Sequence, residues 1–204
     1  MKNTIKILLL VCSLGLFAFT TPPTEKTIKI VIDAGHGGKD AGSYSEEISE
    51  SQIVFNITQK IKQLHQDKNV EIYFTRDHKE FISLNERVEF INKIKPDLVL
   101  SLHTNASNNT TNTGFEIYFT KNNKYKDQNY NFASKLASHL AFQNTSLGKV
   151  SIKNANFKVI RDCKAPSLLL ELGFLTNPEE KQFLNSEEGQ LEIANIILKF
   201  IEEI

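Results

Sequence analysis

Four residues of this 204-residue chain have types and positions better suited to chemistry than to packing. His36 follows the apolar run Ile28–Asp33 within VIDAGHGGKDAG, and His103 follows the nearly all-apolar LVLSL within SLHTNAS. Either histidine alone reads as hydrogen-bonded to its own loop. Together, each just past a strand end and among small residues, they read as one shared site. Glu50 joins them by phase. Ser49, with Gln52 three residues on, is a helix-capping signature. Glu50 then opens the helix on the same face as Val54, Ile57, Ile61 and Leu64. The helix dipole favours an acid in the first turn, but it does not explain an inward phase. Glu46 and Glu47 precede the cap and lack that phase. Two imidazoles and a carboxylate form a three-ligand set that suits zinc and leaves a position open for water.

Glu171 ends the apolar run SLLLEL. A lone carboxylate there is expensive to bury without a partner or a task. An ion pair with Arg161 or Arg76 would satisfy it structurally. As a functional group it would be a general acid or base beside a metal. Two substrate-binding candidates stand nearby in sequence: Asn105, two residues past His103, and Arg161, which can grip a carboxylate bidentately. Arg76 reads as structural. His65 near a helix end, His78 in a charged loop and His139 on a helix read as solvated.

The elements that must position these groups follow from hydrophobic period. Ile28–Asp33, Val70–Phe74, Asp97–Leu102, Gly114–Phe119, Phe157–Ile160 and Ser167–Leu172 read as strands. Ser49–Gln66, Phe81–Ile94, Gln128–Phe142, Pro178–Leu184 and Glu187–Ile201 read as helices. This alternation predicts an α/β fold: one domain over residues 28–204, with a largely parallel twisted sheet of about six strands and helices on both faces. In such sheets, sites gather beyond the carboxyl ends of the strands, which is where both histidines fall.

Lys2 and Lys6 precede the apolar run Ile7–Phe19, and Pro22–Pro23 follow. Residues 1–20 therefore read as a secretory signal and 21–27 as a short linker. The run is short for a membrane span, so none is expected once the signal is removed. Cys12 follows Leu9, Leu10 and Val11 rather than the small residue of a lipoprotein signal. The formal charge is 0, and without Lys2 and Lys6 it becomes −2. A chain this close to neutral has no electrostatic footprint for nucleic acid. Only Cys163 would remain, so no intrachain disulfide is available and stability rests on the core. The expectation is an exported monomer, periplasmic or associated with the cell wall outside the cell.

IDAGHGGKDAG, Glu50, SLHTNAS and ELGFLTNPEE together resemble the zinc-dependent N-acetylmuramoyl-L-alanine amidases of bacterial cell walls. TRD at Thr75–Asp77, SLNERVEFIN at Ser83–Asn92, GFEIYF at Gly114–Phe119 and KNANFKVIRDCKAP at Lys153–Pro166 extend the resemblance over about residues 28 to 200. It implies that His36, Glu50 and His103 hold one zinc ion per chain and that Glu171 is the catalytic glutamate. It also implies peptidoglycan as the substrate, cut at the amide between the lactyl group of N-acetylmuramic acid and L-alanine. Some members carry an inserted helix that plugs the zinc site until a protein activator binds. Here one amphipathic helix fills much of the span Lys121–Asn154, and its apolar face suits packing on the sheet instead. The rival reading is a catalytically inactive peptidoglycan-binding or activator module, which has no chemical need of all four residues.

Overall fold

The computed structural model describes residues 27–143 and 149–204. The expected signal, and the linker up to residue 26, lie outside the described residues. In chain order the elements are β1 (Ile28–Ala34), a short hairpin of β2 (Tyr44–Ser45) and β3 (Ile48–Ser49), α1 (Glu50–Leu64), β4 (Val70–Phe74), α2 (Leu84–Ile94), β5 (Leu98–Asn105), β6 (Phe115–Phe119), α3 (Lys126–Gln143), β7 (Val150–Asn154), α4 (Lys158–Arg161), β8 (Ser167–Phe174), α5 (Pro178–Asn185) and α6 (Glu187–Glu202). Six strands form one sheet in the order β4-β1-β5-β8-β6-β7. All pairings are parallel except β6 with β8. The expected α/β architecture is the one observed.

The central strands are buried on both faces, as continuous apolar runs require. Their alternation sorts the core. Ile30, Ile32, Leu98, Leu100, Leu102, Leu168 and Leu170 pack with α1, α3 and α6 on one face. Val31, Val99 and Leu169 pack with α2 and α4 on the other. On α3, Ala133, Leu136 and Leu140 are buried in the first of these cores, so that helix lies on the sheet. Among the described residues, no helix is long and apolar enough to cross a membrane.

Local readings needed correction in three places. Phe157–Ile160, expected as a strand, is the N-cap and first turn of α4; four apolar residues fit one helical turn as well as a strand. The sixth strand is instead β7, VSIKN, which is half exposed at the sheet edge and lacks a clear period. The capping box falls at α2 rather than α1. Ser83 accepts from the Glu86 amide while Glu86 accepts from the Ser83 amide at 2.8 Å. At α1, Ser49 does accept from the Gln52 amide, but the Gln52 side chain turns to Asn56.

Candidate active site

Strand register builds the floor of the site. His103 on β5 is opposite Glu171 on β8, and Glu171 is opposite Glu116 on β6. Paired residues point to the same face, so Glu116, Glu171 and His103 form one row across three strands. Asp33 pairs with Ser101, so the place beside His103 falls on Gly35, just past β1. A β-carbon at Gly35 would lie 2.4 Å from the His103 ring. Only glycine lets the imidazole lie flat over this backbone.

His36 is carried by a turn that closes on itself, with Gly37 and Asp40 exchanging backbone hydrogen bonds at 2.8 and 3.0 Å. Its φ of 57° is left-handed, a costly conformation for a residue with a side chain. Two buried arginines hold this backbone in place. Arg87 donates to the carbonyls of His36, Ala34 (2.6 Å) and Ile82 (3.0 Å). Arg76 donates to those of Ala34 (3.1 Å), Gly35 (3.2 Å) and Ser51 (2.9 Å). Arg87 is itself paired at 2.5 Å with Asp33, which also accepts from Thr75 and Ser101.

The result is a convergence of three donors. Glu50 Oε1 lies 3.2 Å from His36 Nε2 and 2.8 Å from His103 Nδ1, and the three donor atoms fall within 4.8 Å of one another. Glu50 is 3 % exposed. Backbone amides also hold it: Thr104 donates to Oε1 at 3.1 Å and Ser43 to Oε2 at 2.8 Å. Burial would raise the Glu50 carboxyl, but the hydrogen bonds and charges of His103 and His36 keep it well below the usual range. Burial likewise disfavours charge on His36, yet Glu50 and Asp40 outweigh it and lift the imidazole to about 9. Glu46 and Glu47 sit in the exposed turn of the β2–β3 hairpin. Gly42 (φ 68°) completes the enclosure, because a β-carbon there would meet Glu50 Oε2 at 2.5 Å. A ready-made cluster of two imidazoles and an ionised carboxylate fits a zinc ion by the chemistry of its donors.

Glu171 lines the same cavity as His36, Glu50 and His103. Its Oε2 is buried and has no hydrogen-bond partner. Neither arginine weighed for it is bonded to it: Arg76 is bound to carbonyls, and Arg161 forks onto Asp162 at 2.7 and 3.1 Å. Burial, reinforced by the Glu50 and Glu116 carboxylates and opposed by the histidines, pushes Glu171 up to about 7.

Residues 30–203 match the family described as N-acetylmuramoyl-L-alanine amidase. The chain belongs to this amidase family. Protein YqiI of Bacillus subtilis strain 168 is 31% identical over 176 residues, covering 85% of this chain and 82% of its own length. The amidase CwlM of Bacillus licheniformis is 31% identical over 166 residues, 78% of this chain and 61% of CwlM. The chain spans about half the length of several other curated relatives. The catalytic domain of CwlV from Bacillus (Paenibacillus) polymyxa superposes with a TM-score of 0.79 at 31% identity, covering 86% of this chain and 97% of that one.

The other expected residues of this amidase-family domain divide. Asn105 lines the cavity, with its amide donating to Glu116 at 3.0 Å. Arg161 lies outside the cavities that meet at the histidines; its guanidinium is occupied by Asp162. Of the three histidines read as solvated, only His78 is exposed. His65 bonds the Val70 carbonyl at 2.9 Å, and His139 pairs with Glu203 at 3.1 Å. Sequence reading missed Asp40, which accepts from His36 Nδ1 at 2.9 Å and so turns Nε2 toward Glu50. It also missed Glu116, which accepts from Asn105 and Tyr118 and pairs with Lys153. An acid four residues after His36 was the only available signal for Asp40.

Proposed function

We propose that the chain is a zinc-dependent peptidoglycan hydrolase. It cleaves the amide between the lactyl group of N-acetylmuramic acid and the L-alanine of the stem peptide. His36, Glu50 and His103 would hold one zinc ion per chain. When bound, zinc would supply Lewis acidity toward a carbonyl oxygen and make water more acidic. Glu171 accepts a proton from the attacking water as the water oxygen bonds to the lactyl carbon. It then delivers that proton to the alanine nitrogen as the C–N bond breaks. Asp40 fixes the tautomer and tilt of His36, and Asn105 lines the wall past which the substrate runs. The observation that carries this reading is the orphaned Glu171 oxygen beside the His–Glu–His cluster: an unpaired buried carboxylate is a task, not a support. Residues 1–20 are read as an export signal, which would bring the domain to its peptidoglycan partner.

The test is metal content paired with product. The purified protein is expected to carry about one zinc per chain and to release intact stem peptides from sacculi, leaving free lactyl carboxyls on the glycan. A chelator should stop release, and His36→Ala should lose metal and release together. Chelator-insensitive cleavage would sink the metal reading. Loading the metal-free protein at pH 7.5 should expel about one proton, since His36 is charged below about 9 and must be neutral to ligate. Calorimetry in buffers of differing ionisation enthalpy reads that proton directly.

A further inference from the structure

Two cavities meet at the histidine pair. One, of about 360 Å³, contains Glu50 and Glu171 and ends at Asn105, Ala106 and Phe157. The other, of about 490 Å³, runs past His36 to Phe81, Ser83, Leu84 and Asn85. His36 and His103 line both, so a substrate lying across them reaches into each cavity.

Proton chemistry sets the direction in which it lies. The nitrogen that leaves must be on the side of the group that protonates it. The stem peptide therefore extends over Glu171 toward Phe157. The lactyl carbon, with its ether and sugar behind it, points into the second cavity. That wall has matching chemistry. Phe81 and Leu84 are 42% and 53% exposed, and the exposed side chain of Asn85, in the first turn of α2, makes no hydrogen bond to the described residues. Sugar rings present C–H faces that pack on such apolar groups, and N-acetyl and hydroxyl groups that bond a free amide. Most of the charge there is paired: Asp33 is held by Arg87, Lys158 by Asp162 and Asp40 by His36, while Lys39 stands over one face of the Phe81 ring at 4.7 Å, which leaves Leu84 and the rest of that ring for an apolar contact. We propose that the Phe81–Leu84–Asn85 wall is the glycan subsite and the Asn105–Phe157 wall the stem-peptide subsite, an assignment that rests on the amidase reading of the site.

The experiment uses two substrates with the same stem peptide, one on a single muramoyl sugar and one on a tetrasaccharide, and a stem-free tetrasaccharide as a binding probe. Phe81→Ala should lower the preference for the tetrasaccharide, read as the ratio of kcat/KM values, by about tenfold, the low end of what a lost pocket contact costs. Phe81→Tyr should retain it. With a third substrate, the tetrasaccharide carrying a shortened stem, Phe157→Ala should instead erode discrimination between long and short stems. By calorimetry on metal-free protein, Phe81→Ala should weaken binding of the stem-free tetrasaccharide more than Phe157→Ala does. The reverse pattern, or no change in ratio and binding with Phe81→Ala, overturns the assignment. Failure of the amidase reading has a different signature: zinc-loaded wild type would cut the lactyl amide of neither substrate.

Discussion

Asp33, buried, and Glu171, half-buried, are carboxylates at the same end of one sheet, two strands apart, and their circumstances are opposite. Asp33 has a guanidinium at 2.5 Å and two hydroxyls at 2.6 and 2.7 Å. Burial pushes its carboxyl up, but Arg87, Ser101 and Thr75 together hold it below the usual range. Glu171 has a buried oxygen with no partner and is pushed up to about 7 by burial and by two neighbouring carboxylates. The first group is satisfied and holds a strained loop still. The second is unsatisfied, and it lines the cavity that holds His36, Glu50 and His103. Between these two strand-end carboxylates, complete hydrogen bonding goes with support of the backbone, and the orphaned oxygen is the one left free for chemistry.

That contrast can be broken from either side. Arg87→Met strands Asp33 as an uncompensated buried charge and should cost about 3–5 kcal/mol in denaturant unfolding. A loss below about 1 kcal/mol would mean that Thr75 and Ser101 suffice and that the pair is not the anchor. Glu171→Gln should cut turnover by about 10²–10⁴-fold while zinc content stays unchanged. Full turnover in that variant would remove Glu171 from the proton role. Asp40→Asn should weaken zinc binding by about tenfold, read by competition with a chromophoric chelator.

A last effect, read through stability alone, sharpens the contrast most. In metal-free protein the Glu171 carboxyl titrates near 7 when folded and near its ordinary 4.5 when unfolded. Between those values the folded state holds the extra proton, so this group's stabilising contribution is full below 4.5 and is lost as pH rises to 7. Glu171→Gln removes that slope. The variant should therefore melt higher than wild type at pH 8, where each 1 kcal/mol is worth about 2–4 °C in this size range. An unchanged or lower Tm would mean that Glu171 is better accommodated than its lone oxygen indicates.

What the sequence reveals here depends on how local each cause is. The bounds of β4 and the inward phase of Glu50 follow from period and capping within a few residues, and both are seen. β7 escapes because its half-exposed edge position imposes no apolar pattern. Gly37 and Gly38, which look in sequence like room for His36, instead give close approach to Glu80 and Phe81. Gly35 makes room for the His103 imidazole, which comes from a neighbouring strand. Arg87 and Glu180 act at long range. Glu180 on α5 is buried and accepts from the amides of Phe174 and Gly114 at 2.7 and 2.6 Å, fastening the end of β8 to the start of β6. No spacing within the chain announces bonds between residues 66 positions apart.

The mutual grip of the His36–Glu50–His103 cluster makes one oxygen atom a junction of three distant segments. Glu50 Oε1 lies within hydrogen-bonding reach of both imidazoles and accepts from the Thr104 amide. The turn after β1, the first residue of α1 and the end of β5 therefore meet at a single carboxylate. Removing that carboxylate would untie all three at once, so a substitution at Glu50 tests the scaffold as well as the chemistry.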